Sequence, residues 1–117
     1  MAKATEIDIE ARAKAGRENF LKGYNCAQSV IATFADIYPS DDIDTLLRLS
    51  ASFGGGMGRL RMTCGAASGM FMLAGLENGS ATPGNMEART RNYALVQELA
   101  AKFKEENDSL ICAELLG

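Results

Sequence analysis

Cys64-Gly65-Ala66-Ala67-Ser68-Gly69-Met70-Phe71-Met72-Leu73-Ala74-Gly75-Leu76 is small or apolar at almost every position. A helical segment without a polar face is buried on all sides rather than amphipathic, so this run predicts the central helix of the core. Thr63 stands where it can cap that helix. Immediately upstream, Gly54-Gly55-Gly56-Met57-Gly58-Arg59-Leu60-Arg61-Met62 combines glycines that remove side-chain restraint with backbone freedom other residues lack, and reads as a loop.

Working outward, the flanking segments are also helical. Thr5 to Tyr24 is rich in Ala, Glu, Arg and Lys, with Ile7, Ala11, Ala15 and Phe20 loosely at helical spacing. Asn25 with Gln28 three residues on forms a capping-box pattern, which starts a second helix at Cys26 that Pro39 stops. Asp41, Asp42 and Asp44 suit the positive end of a third helix, whose apolar face is Ile43, Leu46, Leu47 and Phe53 and whose end is Gly54. Beyond the central run, Gly79, Pro83 and Gly84 mark a turn. Asn85 to Glu106 then reads as a long amphipathic helix with a stripe of Met86, Tyr93, Val96, Leu99, Ala100 and Phe103. Asn107-Asp108 breaks it, and Ser109 caps a short final helix carrying Leu110, Ile111, Leu115 and Leu116. No stretch alternates with period two. The expected fold is all-α: a single compact bundle of about five to six helices, one domain over residues 1–117, with a central buried helix.

Composition narrows the function classes. The 117 residues are 47% apolar and 23% charged, a globular balance. The net charge of −3 and the pI near 4.9 leave no cationic excess for a nucleic-acid backbone, so no nucleic-acid partner is expected. No apolar run reaches the roughly 18 residues of a membrane span, and the charged start Met1 to Glu10 carries no secretory h-region. The expected location is cytoplasmic. The stripe of the long helix serves equally inside one subunit or across a homo-oligomer interface.

The chemistry-bearing residues are Cys26, Cys64 and Cys112, without CxxC spacing and in a chain lacking histidine. Without that base and ligand, triad hydrolysis is excluded, as is the commonest metal-ligand side chain. Each cysteine falls in the first turn of an expected helix, where unpaired amides and the helix dipole favour a thiolate able to attack a disulfide or bind a metal. A free cysteine taken singly is more often an inert buried residue, and it is the placement of all three at helix starts that brings the two readings level. Burial of the central helix opposes charge at Cys64, whereas Arg59 and Arg61 favour it unless they are merely part of a solvated loop. Gly65, Ala66 and Gly69 leave one side of the central helix nearly bare, for a close neighbour or a bound group. The candidate anion or cofactor cradle is Gly54, Gly55, Gly56, Gly58 and Arg59, although the segment lacks a P-loop ending and follows a helix rather than a strand. Met57, Met62, Met70 and Met72 cluster nearby, either as thioether ligands for copper(I) or as flexible core filling.

Four ordered motifs carry a family resemblance: Asn25-Cys26-Ala27-Gln28, Phe53-Gly54-Gly55-Gly56-Met57-Gly58-Arg59, Cys64-Gly65-Ala66-Ala67-Ser68-Gly69, and Cys112-Ala113-Glu114-Leu115-Leu116-Gly117. From about Gly23 onward the chain resembles the C-GCAxxG-C-C family, a group called redox-active on account of its cysteines. The resemblance implies a helical protein with four characteristic cysteines, often encoded near transporter genes. Cys26, Cys64 and Cys112 correspond to the first three. The fourth, placed after the Leu-Leu-Gly segment, has no counterpart within residues 1–117, so either the protein continues beyond this segment or a four-thiol centre is absent. Met62 and Thr63 also stand where many relatives carry Glu.

The reading that follows is a thiol redox protein with Cys64 as nucleophile, Cys26 as its pair and Cys112 resolving or in reserve, acting on a redox partner or small-molecule disulfide without a required cofactor. A second reading makes Cys26, Cys64 and Cys112 ligands of a soft metal or iron–sulfur cluster, a closed zinc site being disfavoured by three thiolates alone. A third is a helical accessory module linked to a transporter, in which the cysteines are dispensable.

Overall fold

The computed structural model describes residues 8–116; the expected helix start at Thr5 to Ile7 and Gly117 of the last motif lie outside them. In chain order the elements are the helices α1 (Ile9–Leu21), α2 (Cys26–Phe34) and α3 (Ile43–Ser50), a turn α4 (Gly54–Met57) that is left-handed at Gly55, Gly56 and Met57, and the helices α5 (Gly65–Asn78), α6 (Met86–Asn107) and α7 (Cys112–Leu116), with 3-10 turns at Ala35–Ile37 and Ala51–Phe53. There is no strand among the described residues, only one isolated antiparallel bridge between Thr63 and Ile111. The all-α expectation holds.

The apolar run is the centre of the bundle: no residue of α5 from Gly65 to Leu76 is exposed. Its small residues decide its main partner. A Cβ on Gly69 would stand 2.8 Å from the Ala27 carbonyl oxygen and 3.0 Å from Val30 Cβ, so α2 and α5 cross at backbone contact, with Ala27 and Ala67 fully buried. Only residues without bulk allow that approach. α5 also packs on α6.

The capping signals are legible in the structure. Asn25 Oδ1 accepts from the Gln28 amide at 2.9 Å and the Asn25 amide donates to Gln28 Oε1 at 3.1 Å, completing the capping box. Asp42 and Asn85 cap α3 and α6 by accepting from the amides of Thr45 and Ala88.

Several expected faces are corrected. In α1, Phe20 is 58% exposed, and the covered side combines Ala15 and Gly16 with polar contacts to α2: Arg12 donates to the Thr33 carbonyl at 2.7 Å, and Asn19 donates to Thr33 Oγ1 at 3.2 Å. Helical spacing alone misjudged this face because Arg12 brings its own partners, the exposed Asp36 carboxylate and the Phe34 ring. In α6, Met86 and Tyr93 are exposed, whereas Val96, Leu99, Ala100 and Phe103 of the expected stripe are covered together with Ala88, Asn92 and Leu95. Asn92 belongs to this covered side because it donates to the Ala74 carbonyl and to Asn78.

The glycine segment is not an irregular loop. Gly55, Gly56 and Gly58 have φ of 66, 72 and 61°, and Met57 and Arg59 share positive φ, so five consecutive residues wind left-handed. Amides of Gly58, Arg61 and Met62 donate back to the carbonyls of Gly54, Gly55 and Gly56, closing the turn. L-residues resist this conformation by roughly 1–2 kcal/mol each, which is why glycine fills most of the turn.

Candidate functional site

Each cysteine is placed by contacts between the sequence motifs. Asn25 caps α2 and also donates through Nδ2 to the Ala51 carbonyl at 2.8 Å, while Gln28 Nε2 donates to the Leu47 carbonyl at 3.1 Å. The capping box thus ties the start of α2, and with it Cys26, to the end of α3. Gly54 lies against the Asn25 side chain, with no room for a Cβ. Cys26 Sγ lies where a Cβ on Gly65 would stand, next in sequence to Cys64.

Cys64 itself is the N-cap residue of α5, with φ −52° and ψ 132°, so the expected cap at Thr63 is displaced by one residue. Thr63 instead pairs with Ile111, and around that bridge the Cys64 amide donates to the Leu110 carbonyl at 2.6 Å and the Cys112 amide to the Met62 carbonyl at 2.5 Å. Ile111 is therefore held in the bridge, and the last helix starts at Cys112 rather than just after Ser109. Ser109 caps locally all the same, accepting from the Ile111 amide at 2.9 Å. Gly56 completes the arrangement: a Cβ there would meet Cys112 Cβ at 2.6 Å, so the left-handed turn seats the third cysteine.

The result is a cleft of about 860 Å³ lined by all three cysteines together with Gly54, Gly55, Gly58, Arg59 and Arg61. Cys26 and Cys64 are partly accessible, Cys112 is buried, and all three are free thiols. Arg61 donates to Cys112 Sγ at 3.7 Å. Phe20, Leu115 and Leu116 add apolar wall, and the charged side chains lining the cleft among the described residues are Arg59 and Arg61.

The other expected cofactor residues divide. Gly54, Gly55, Gly58 and Arg59 line the cleft, Gly56 is buried against Cys112 as a packing residue, and the amides of Gly58 and Arg59 are donated to the Gly54 carbonyl. Among the described residues no group of three or more Cys, His, Asp or Glu side chains is arranged to hold a metal ion, so the three thiols as they stand do not fit a soft-metal or iron–sulfur site. No helix of the described residues is long and apolar enough to cross a membrane.

Sequence reasoning did not find the second role of Asn25 and Gln28, the Arg61–Cys112 contact, or the pairing of Thr63 with Ile111. The signal for the first was present, because both side chains keep hydrogen-bonding capacity beyond the capping box. The others depend on residues far apart in the chain.

Residues 24–117 match the model of the family described as "Putative redox-active protein (C_GCAxxG_C_C)", and the chain belongs to that family. No curated protein and no solved structure gives a match.

Proposed function

We propose that this member of the C_GCAxxG_C_C family is a thiol–disulfide exchange protein in which Cys64 attacks, Cys26 forms the internal disulfide with it, and Cys112 stands in reserve. The observation that carries the reading is that cysteines from three distant segments line one cleft. Cys64 stands at the N-terminal end of a 14-residue helix, where the dipole favours an anion, and is partly accessible. Cys26 Sγ abuts Gly65, the residue after Cys64, whereas buried Cys112 is the least accessible thiol.

The chemistry balances with a disulfide as oxidant. The Cys64 thiolate attacks one sulfur of RS–SR, the S–S bond breaks, RS⁻ leaves, and Cys64 is held as a mixed disulfide. The Cys26 thiolate then attacks the Cys64 sulfur and expels the second RS⁻. Two protein thiols are oxidised, one small disulfide is reduced, and the released thiolates take up the protons the cysteines gave. A reducing compartment such as the cytoplasm would keep the resting protein in the thiol form.

The test is exchange of the reduced protein with a small disulfide, followed by mass spectrometry. Cys64→Ser is expected to lower the rate of mixed-disulfide formation at least about a hundredfold, and Cys26→Ser to trap the mixed disulfide on Cys64. Unchanged exchange in Cys64→Ser would overturn the assignment.

A further inference from the structure

The charged lining of the cysteine cleft is opposite in sign to the protein. The chain carries a net charge of −3, yet among the described residues the cleft is lined by two arginines and by no Asp or Glu. Neither Arg59 nor Arg61 forms an ion pair among the described residues, whose salt bridges use Arg12, Lys14, Arg48, Arg91 and Lys102. The contact from Arg61 Nη1 to Cys112 Sγ leaves most of its five N–H donors unspent.

Backbone strain is present at both residues, as it is at Met57 in the same turn and at Asp108. Arg59 and Arg61 have φ of 67 and 61°, left-handed values that long side chains seldom adopt. The turn enforces them, through the Arg59 amide on the Gly54 carbonyl at 3.4 Å and the Arg61 amide on the Gly55 carbonyl at 3.3 Å. Strain of this kind persists where the surroundings over-determine it, and it clusters at ligand clamps. The segment could place glycine at these positions, as it does at Gly55, Gly56 and Gly58, but it places guanidinium groups at the cleft instead.

We propose that Arg59 and Arg61 recognise the disulfide substrate through carboxylates that it carries, so that the cleft takes a low-molecular-weight, carboxylate-bearing disulfide such as one built from cysteine or a short cysteine peptide. The proposal rests on the exchange reading above and names its substrate class. Planar guanidinium groups match carboxylates with paired N–H donors. A cleft of about 860 Å³ is of the size that encloses a small organic molecule, and Leu115 and Leu116 offer apolar surface to its methylenes. Exchange follows the balanced sequence given above, with the carboxylated disulfide as oxidant and two carboxylated thiols released.

The experiment compares exchange of the reduced protein with dithiodipropionate, hydroxyethyl disulfide and cystamine, which are anionic, neutral and cationic. The dianion is expected to react at least about tenfold faster than the neutral compound after correction for their intrinsic reactivities, and Arg59→Gln/Arg61→Gln should bring that ratio close to one. Equal corrected rates with all three disulfides would overturn the substrate assignment and leave the exchange reading standing. Binding of thiodipropionate, a thioether that cannot exchange, separates the other case. If no disulfide reacts, the exchange reading falls. Calorimetry then decides the anion preference alone: thiodipropionate binding weakened about tenfold in the double variant supports it, and unaltered or absent binding overturns it.

Discussion

Cys26 Sγ occupies the space in which a Cβ on Gly65 would stand. The same close fit recurs wherever the motifs meet: Gly54 against Asn25, Gly69 against Ala27, and Gly56 against Cys112. The glycines are contact surfaces for the residues around each cysteine, and the cleft geometry depends on their lack of a side chain.

Substitution at these contacts should therefore behave unlike substitution elsewhere in the same helix. A Cβ at Gly65 meets Cys26 Sγ, the Phe53 carbonyl oxygen at 2.9 Å and the Ala27 amide nitrogen at 3.3 Å. Gly65→Ala should cost about 1–3 kcal/mol through overpacking. A methyl group at Gly75, also in α5, would meet nothing within 4 Å, so Gly75→Ala should stabilise by about 0.5–1 kcal/mol. Urea denaturation of both variants checks the contrast.

The left-handed turn gives a second contrast. Met57 has φ of 66°, and Met57→Gly relieves roughly 1–2 kcal/mol of strain while adding about 0.5–1 kcal/mol of chain entropy, for an expected gain of about 0–1.5 kcal/mol. Gly56→Ala should destabilise, because its φ of 72° is unfavourable for alanine and its Cβ meets Cys112 and the backbone of Arg61 and Met62. Thermal denaturation distinguishes the signs.

The fold was legible where local chemistry decides it. Asn25 with Gln28 announced a helix start because capping needs only neighbouring residues, and the acidic cluster at Asp41, Asp42 and Asp44 announced another, whereas the cap expected at Thr63 falls on Cys64. The apolar run announced the central helix because it lacks a polar face. The three cysteines were identifiable as a set, but their meeting in one cleft was not, because it depends on Thr63 pairing with Ile111, far apart in the chain. The exposed Phe20 and Tyr93 show the limit of periodicity: Arg12 and Asn92 took seam positions by satisfying carbonyls of adjacent helices.

Tyr38 should govern part of the alkaline stability. Its hydroxyl donates to Glu77 Oε2 at 2.8 Å, and burial, followed by that hydrogen bond, pushes its pKa up to about 12. A folded pKa above the unfolded value gives stability that is fully present below about pH 10 and lost as pH rises through 12. Denaturation between about pH 9 and 12 should show an alkaline loss in the wild type that Tyr38→Phe reduces.

Arg12 should matter more than its ion pair. Hydrogen bonding to Arg12 holds the Asp36 carboxyl below its usual range, so that contribution is present above about pH 4 and lost as pH falls through the folded value. Asp36 is 67% exposed, so Asp36→Asn should cost less than about 1 kcal/mol at neutral pH. Arg12→Met also removes the hydrogen bond to the Thr33 carbonyl and the stacking on Phe34, and should cost about 1–2 kcal/mol. Denaturation of the two variants at neutral and acid pH checks both.

The most direct measurement is to expose the reduced protein to a small disulfide, quench with alkylating agent, and map the cysteine peptides by mass spectrometry. The expected product lacks two hydrogens, with Cys26 and Cys64 joined and Cys112 alkylated after unfolding. Three unmodified thiols after prolonged exposure, or a disulfide that excludes Cys64, would contradict the assignment of the cleft as a thiol exchange site.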